Sequence, residues 1–240
     1  MSSRITCEVR CTAPVAVVRL AGALHLGTMR SVHQALDDAL VGQPEALVID
    51  MAEVSVEDRL ALSVFAATAR RAEEWPAVPV VLCSPSPVAA RWLSESTTCR
   101  VVPVTADCAE ATRMAGATLR MRTRLEPVAE ACRRARELVT DACARWNLPN
   151  ASGPAALVLS ELVGNVVRHA GTPMQVTVTL RRPYLHLAVV DGSSAQAQPG
   201  GTDLHAEGGR GLMLVRELAQ RWGSVPAGQG KAVWAMLPAT

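Results

Sequence analysis

Polar side chains recur at four-residue intervals in the segment 160–169. On a helix, Glu161, Asn165 and His169 therefore lie on one face, with Arg168 at its edge. The amide oxygen of Asn165 suits a hard cation such as Mg2+, and the carboxylate of Glu161 can orient or deprotonate a nucleophile. The spacing predicts a ligand-facing stripe, although the solvated face of an ordinary amphipathic helix has the same pattern.

A carboxylate and a glycine-rich turn follow this helix. Two strand-like runs, 175–180 and 184–190, alternate in polarity, and the second ends at Asp191. The next stretch, 193–207, is poor in large apolar residues, so it is predicted to be a mobile loop or lid. Glycines in the segment 208–211 then precede a helix-periodic segment, and free N–H groups at a helix start favour phosphate. A glycine turn or a strand-ending Asp also occurs in ordinary turns.

The order of these elements, completed by a helix over 212–221 and a final strand over 231–237, resembles a known ATP-binding fold. Histidine kinases, Hsp90-type chaperones and gyrase-type ATPases share that fold. Within this superfamily the chain is most similar to the small anti-sigma-factor serine kinases of the actinobacterial type. The resemblance extends from Leu125 to Pro238 and implies an α/β sandwich of the Bergerat type that binds ATP and Mg2+.

The resemblance also implies roles for individual residues. Glu161 would be the catalytic base, Asn165 would bind Mg2+, and Asp191 would accept a hydrogen bond from the adenine amino group. For His169, a structural role at the helix end is favoured over nucleotide contact. The residues predicted to contact the nucleotide and its metal are Asn165, Arg168, His169, Asp191, Gly208, Gly209, Arg210, Gly211 and Lys231.

Two positions depart from the family pattern. The family often has a second glycine shortly after the adenine-binding aspartate, whereas here Asp191 and Gly192 are followed by Ser193 and Ser194. A threonine often lies near the adenine on the final strand, and the nearest candidate position here is Ala232. The resemblance therefore implies nucleotide binding more firmly than it implies efficient phosphoryl transfer.

Strands and helices alternate in the amino-terminal half, which predicts a partly parallel sheet with helices packed on it. The segment 47–58 resembles the STAS fold of sulfate transporters and anti-sigma-factor antagonists, and the similarity extends from Ile5 to Gly116. The predicted fold class is therefore α/β (α+β) with two domains. A STAS-like mixed sheet occupies residues 1–119, and the ATP-binding sandwich occupies residues 120–240.

The phosphoacceptor region of the antagonists is degenerate in this chain. In the antagonists, the Asp at the position of Asp58 is followed by hydroxyl residues, one of which the partner kinase phosphorylates. Here Arg59 and Leu60 follow it, and neither has a hydroxyl group. Ser55 and Ser63 are nearby but are not the expected acceptors. We expect a fixed regulatory or docking module in which Arg59 contacts the nucleotide domain or an acidic partner.

Composition and charge narrow the class of protein. Residues 1–119 carry 10 Arg and 13 acidic residues, and residues 120–240 carry 14 basic and nine acidic residues. The basic half suits a polyanion such as ATP, and the acidic half suits a partner for the basic half. Arginine is not clustered with aromatic residues, so nucleic acid is not an expected partner. No apolar run approaches the roughly 20 residues of a membrane span, and no secretory signal is apparent, so a cytoplasmic location is expected.

Seven cysteines are scattered without metal-ligand spacing, which predicts reduced, buried thiols. Helices are predicted over 106–119 and 125–146, and an edge strand is predicted over 101–104. By resemblance, the 125–146 region contributes to dimerisation and sigma-factor docking, so a homodimer is one possible assembly. The short linker predicts contact between the two halves.

Two functions remain open. The first is an ATP-dependent serine/threonine kinase that phosphorylates a STAS-type antagonist protein, sequesters a sigma factor, or does both. The alternative is a catalytically weak, nucleotide-gated binding protein with a STAS module that cannot be phosphorylated. A sensor histidine kinase is disfavoured because residues 120–150 contain no histidine to accept phosphate.

Overall fold

The computed structural model describes residues 4–12, 14–115, 119–194 and 209–239. The chain divides into two compact units, residues 1–118 and 119–240, and each has its own five-stranded sheet. The described residues contain seven α-helices. None of them is both long enough and apolar enough to cross a membrane.

The first unit is a mixed sheet in the order β1-β2-β3-β4-β5. The first two strands form an antiparallel pair, and the remaining neighbours are parallel. The strands are β1 (Ile5–Thr12), β2 (Val15–Leu24), β3 (Ala46–Val56), β4 (Val80–Cys83) and β5 (Val104–Thr105). The helices are α1 (Met29–Val41), α2 (Ser63–Glu74), α3 (Pro87–Ser94) and α4 (Cys108–Ala115).

Strand β3 explains why this sheet has helices on both faces. Its apolar residues are nearly continuous, and successive side chains point to opposite faces. Leu47 and Ile49 pack in one core with Phe65 of α2, whereas Val48 packs in the other with Ala111 of α4. The central strand is therefore buried on both sides.

The second unit is an entirely antiparallel sheet in the order β6-β7-β8-β10-β9. Its strands are β6 (Leu119–Leu125), β7 (Met174–Arg181), β8 (Tyr184–Asp191), β9 (Arg221–Ala227) and β10 (Gly230–Pro238). Its helices are α5 (Ala131–Arg145), α6 (Pro149–Asn165) and α7 (Gly209–Leu218).

Burial of α6 against this sheet fixes the direction of its polar residues. Leu159, Leu162 and Val163 are at most 1% exposed, and they pack in one core with sheet residues such as Val178. Each such side chain contributes about 1.5–3 kcal/mol when fully buried. Rotation of α6 about its axis would expose these residues, so the helix presents Glu161 at a fixed position.

Several predicted element boundaries were wrong. The helix predicted over 125–146 begins only at Ala131, because Leu125 ends β6 and the following Pro127 disfavours helical backbone at the residue before it. The helix predicted over 106–119 covers only 108–115, and the edge strand predicted over 101–104 is reduced to β5. Strands β1 and β9 were not predicted. Gly and Pro interrupt the apolar pattern of β9, which pairs with β10 and is the last strand of the sheet among the described residues.

The cysteine prediction was also wrong, because Cys83 and Cys108 form a disulfide. Cys83 ends β4 and Cys108 begins α4, and this packing brings their Cα atoms to 5.1 Å. Spacing in sequence does not reveal such a pair, since the two residues are 25 positions apart. The other described cysteines whose side chains are placed are free thiols: Cys7, Cys99, Cys132 and Cys143.

Loss of this disulfide is expected to lower the free energy of unfolding. For a loop of this length, the cross-link stabilises by about 3 kcal/mol through the unfolded state. We expect Cys108→Ser to lose about that amount in urea unfolding without reductant, and reduction of the parent protein to have the same effect. The matched control is Cys99→Ser, at an exposed free thiol, which should change stability by less than about 0.5 kcal/mol. Equal midpoints for the oxidised and reduced parent would contradict the prediction.

Burial of an imidazole on β8 makes the stability of the second unit depend on pH. His186 is 4% exposed, and burial, with added repulsion from Arg181 and Arg120, lowers its pKa to about 4. In the unfolded chain the pKa is near its usual value of about 6.5. Below that pH the unfolded state binds a proton that the folded state does not, so stability is lost as the pH falls from about 6.5 to 4.

The expected loss from His186 is about 3 kcal/mol between these limits, at about 1.36 kcal/mol for each pKa unit. We expect His186→Gln to flatten the pH dependence of urea unfolding in this range. His169→Gln, at an exposed histidine of the same unit, should leave the dependence unchanged. A parent slope that survives the His186 substitution would show that another group causes it.

Candidate functional site

The polar stripe of α6 ends where the helix ends. Glu161 and Asn165 are half-buried one turn apart, and Asn165 is the last residue of α6. The next five residues, Val166–Ala170, form a wider π-helical turn that Gly171 closes at φ +60°. His169 lies in this turn and is exposed. The wider turn interrupts the α-helical phase, so His169 does not continue the spacing of the other two residues.

Arg168 lies at the centre of the cluster rather than at its edge. Its Nη2 donates to Asn165 Oδ1 at 3.1 Å and lies 3.7 Å from Glu161 Oε2. The guanidinium packs over Gly164, where a Cβ atom would lie 3.0 Å from Nη1. A positive charge is thus placed beside the amide oxygen that the sequence predicts to bind a metal.

The start of α7 packs directly on the carboxylate of Glu161. A Cβ atom added to Gly211 would lie 2.3 Å from Glu161 Oε2, so any larger residue here would require the carboxylate to move. Gly209 begins α7, whose first turn has N–H groups without helical partners. Gly208 and residues 195–207 of the predicted loop lie outside the described residues, and the side chain of Arg210 is likewise not described.

A second polar cluster lies where β8 ends. Asp191 is 4% exposed, and its Oδ1 accepts hydrogen bonds from Ser193 N at 2.7 Å and from Lys231 Nζ at 3.1 Å. Its Oδ2 is buried and has no hydrogen-bond partner among the described residues. A buried acceptor without a partner costs about 1–3 kcal/mol, so a ligand that donates a hydrogen bond to this oxygen would remove that cost.

Thr172 connects the two clusters and was not among the predicted residues. It follows the π-helical turn, and its Oγ1 accepts a hydrogen bond from Gly192 N at 3.0 Å. The contact ties the segment after Asn165 to the turn after Asp191. The only sequence signal was a small polar residue between a helix and a strand, which is common in turns without function.

The degenerate loop of the first unit has its own contacts. Asp58 begins a 3-10 turn, Arg59–Leu62, and its Oδ1 accepts from Leu60 N at 2.8 Å. Arg59 Nη1 lies 3.2 Å from Glu95 Oε2, so its guanidinium has a partner within the same unit. The side chain of Leu60 is 70% exposed, and Ser63 Oγ donates to Leu60 O at 2.7 Å. An apolar side chain is therefore exposed at a position where the resemblance to the antagonists predicts a hydroxyl residue.

Comparison with known proteins agrees with this architecture. Residues 6–111 match the STAS domain, and residues 125–237 match the histidine kinase-like ATPase domain. The chain is a STAS domain followed by an ATPase domain of that family. Both predicted resemblances and the predicted fold class are thereby confirmed. An ATPase domain implies ATP binding.

Three of the solved structures that are similar to the chain are compared with it by their identity, the share of each chain covered and the TM-score. An anti-sigma factor antagonist from Mycobacterium paratuberculosis is 24% identical over 46% of this chain and 93% of that chain, with a TM-score of 0.41. An anti-sigma-factor antagonist (STAS) domain protein from Planctomyces limnophilus is 20% identical over 48% of this chain and 100% of that chain, with a TM-score of 0.40. The RsbU and RsbW domains of Rv1364c from Mycobacterium tuberculosis are 15% identical over 50% of this chain and 32% of that chain, with a TM-score of 0.39. No curated protein matches the chain.

Proposed function

We propose that the chain is an ATP-dependent serine/threonine kinase of a bacterial partner-switching system. It would act in the cytoplasm, phosphorylate a STAS-type antagonist protein, and bind a sigma factor in turn. The observation that carries the proposal is the contact between Glu161 and the glycine start of α7, with Asn165 one helical turn away. The contact supports the proposal because a carboxylate and an amide oxygen, the kinds of group that Mg2+ prefers, lie near the start of a helix, where free N–H groups favour phosphate.

The cluster at the end of β8 supports adenine as the base. The free Oδ2 of Asp191 is an acceptor only, so it fits the hydrogen-bond-donating amino group of adenine. Thr172 would hold the neighbouring turn in place through Gly192 N. The base would then lie near β8 and β10, with the phosphates toward α7.

The cluster on α6 supports phosphoryl transfer. Magnesium held by the amide oxygen of Asn165 would offset the negative charge of the phosphates. That oxygen already accepts a hydrogen bond from the guanidinium of Arg168, so its surroundings accommodate a cation. Glu161 would accept the proton of the attacking serine hydroxyl while that oxygen bonds to the terminal phosphorus and ADP leaves.

A nucleotide-gated binding protein without efficient transfer is the second candidate. Two observations favour it. The guanidinium of Arg168 contacts both Asn165 and Glu161, and the second glycine that the family often has after the aspartate is missing, since Ser193 and Ser194 follow Gly192. In that case ATP would change the affinity for a partner without being consumed.

The two candidates are separated by measuring ATP binding and phosphoryl transfer on the same preparation. Calorimetric titration with ATP and Mg2+ gives the affinity. Labelled ATP and a STAS-type antagonist that keeps its acceptor serine give the transfer rate. Binding with transfer supports the kinase, binding without transfer selects the gated binding protein, and the absence of binding at millimolar ATP rejects both.

Phosphosite mapping in the same assay tests the STAS module of the chain itself. We propose that this module is fixed, because Arg59 and Leu60 offer no hydroxyl and Ser63 already donates its hydroxyl proton to Leu60 O. No phosphate is therefore expected on Ser55 or Ser63. Phosphate on either residue would contradict the proposal of a fixed module.

Arg168 is expected to compete with Mg2+ for the cluster on α6. Arg168→Gln removes a positive charge from Asn165 Oδ1, so the Mg2+ concentration for half-maximal ATP binding should fall by roughly threefold to fivefold. This corresponds to less than about 1 kcal/mol, as expected for a half-exposed charge pair. Arg145→Gln, an equal change of charge at an exposed residue of α5, should have no effect. A higher Mg2+ requirement in Arg168→Gln would mean that the guanidinium assists metal binding instead.

A further inference from the structure

Lys231 is the only lysine in the chain, and it is nearly buried. It lies directly opposite Asp191 in the antiparallel pairing of β8 and β10. Its Nζ donates to Asp191 Oδ1 at 3.1 Å and to Ser193 O at 3.4 Å. Every other basic residue counted in the net charge is arginine, so a lysine here calls for a physical reason.

The geometry of the pair leaves one carboxylate oxygen free. The ammonium group of Lys231 is compact and contacts Oδ1, whereas Oδ2 is buried without a partner among the described residues. An arginine has a planar fork of donors that binds both oxygens of a carboxylate. Lysine therefore neutralises a buried charge, which would otherwise be strongly unfavourable, and still leaves a single oriented acceptor.

We propose that Lys231 determines base specificity in the ATPase domain, by holding Oδ1 of Asp191 and leaving Oδ2 for the 6-amino group of a purine. This inference rests on the proposed binding of ATP and goes beyond it. A 6-amino purine donates a hydrogen bond to Oδ2. A 6-oxo purine presents a carbonyl oxygen at the same position, so two acceptors face each other in a buried site. Such a mismatch costs about 1–3 kcal/mol, or roughly 5-fold to 150-fold in affinity.

The test compares ATP with inosine triphosphate, which has a carbonyl in place of the 6-amino group. Both are titrated with Mg2+ into the full chain and into Lys231→Arg. We expect the parent to bind ATP roughly 5-fold to 150-fold more tightly than inosine triphosphate. In Lys231→Arg the guanidinium binds Oδ2 as well and can donate to a carbonyl, so the two affinities should become equal to within about threefold.

The outcomes distinguish this inference from the proposed function. If both proteins bind ATP and show the same preference, Lys231 only neutralises Asp191, and the inference is overturned while ATP binding stands. If the parent binds neither nucleotide, the proposed function fails and the inference fails with it. Thermal unfolding of Lys231→Arg checks that the variant is folded.

A second measurement uses the parent protein alone, in case Lys231→Arg does not fold. Because Lys231 is the sole lysine, an amine-reactive reagent modifies only this side chain and the amino terminus, and peptide mapping separates the two sites. Saturating ATP with Mg2+ should slow modification of Lys231 by about tenfold and leave the amino terminus unchanged. An unchanged rate at Lys231 under saturating ATP would overturn the inference.

Discussion

Glu161→Gln is expected to lower the rate of phosphoryl transfer at least 100-fold while ATP affinity changes less than about threefold. Glutamine has nearly the same shape, so it keeps the packing of this position against Gly211. Its amide cannot accept the hydroxyl proton of the substrate, and a positioned general base contributes roughly 100-fold to 10,000-fold. Single-turnover transfer from labelled ATP to the antagonist measures the rate, and calorimetry measures the affinity.

The control for this prediction is Glu126→Gln. Glu126 is an exposed carboxylate of the same domain, so the substitution makes the same change of charge away from α6. It should leave both quantities unchanged. If Glu161→Gln transfers phosphate as fast as the parent, Glu161 is not the base. If ATP binding is lost instead, its carboxylate positions the nucleotide or its metal.

Gly230→Ala is expected to destabilise the ATPase domain by at least about 4 kcal/mol. A Cβ atom at this position would lie 1.8 Å from the carbonyl oxygen of Asp191 and 2.9 Å from Cα of Gly192. Both contacts are with backbone, which cannot move aside as a side chain can. Relief requires β8 and β10 to separate at the end that carries Asp191 and Lys231, so ATP binding should be lost together with stability. Losses above about 4 kcal/mol are exceptional for one substitution and reflect a defined steric cause.

Gly153→Ala is the matched control for Gly230→Ala. This glycine lies in α6, and no atom beyond its chain neighbours and its own helix backbone lies within 4 Å of the position that a Cβ would occupy. Alanine has the better helix propensity, but a Cβ here is crowded by the following Pro154, so stability should change by less than about 1 kcal/mol. Urea unfolding should therefore show a large loss for Gly230→Ala and little change for Gly153→Ala. A parent-like midpoint for Gly230→Ala would mean that the strand pair accommodates the added methyl group.

Local patterns in the sequence predicted the elements that hold the site. The four-residue spacing of Glu161 and Asn165 indicated their common placement on α6, and alternation placed Asp191 at the end of a strand. Helical and strand periodicities depend on neighbours in sequence, so a single chain reveals them. The same reasoning failed for His169, because nothing local signals that the α-helical turn widens after Asn165.

Contacts between distant residues were beyond that reasoning. The pair of Lys231 and Asp191 depends on the register of β8 against β10, across 40 positions of sequence. The hydrogen bond from Arg168 to Asn165 Oδ1 depends on the rotamer of the long arginine side chain and on the small size of Gly164. These contacts are set by the packed fold, and they supply the charge and the free acceptor on which the functional proposals rest.

The contacts of Arg168 with Glu161 and Asn165 affect how Mg2+ binding to the domain should depend on salt. Because an internal counter-ion already lies beside the carboxylate, binding of Mg2+ at the proposed site would be an exchange of one cation for another. Such an exchange would change the local net charge by less than Mg2+ binding to a carboxylate without a counter-ion would. Loading of the domain should accordingly depend only weakly on bulk salt, and the resting protein avoids the repulsion that an uncompensated carboxylate would bring to an approaching triphosphate.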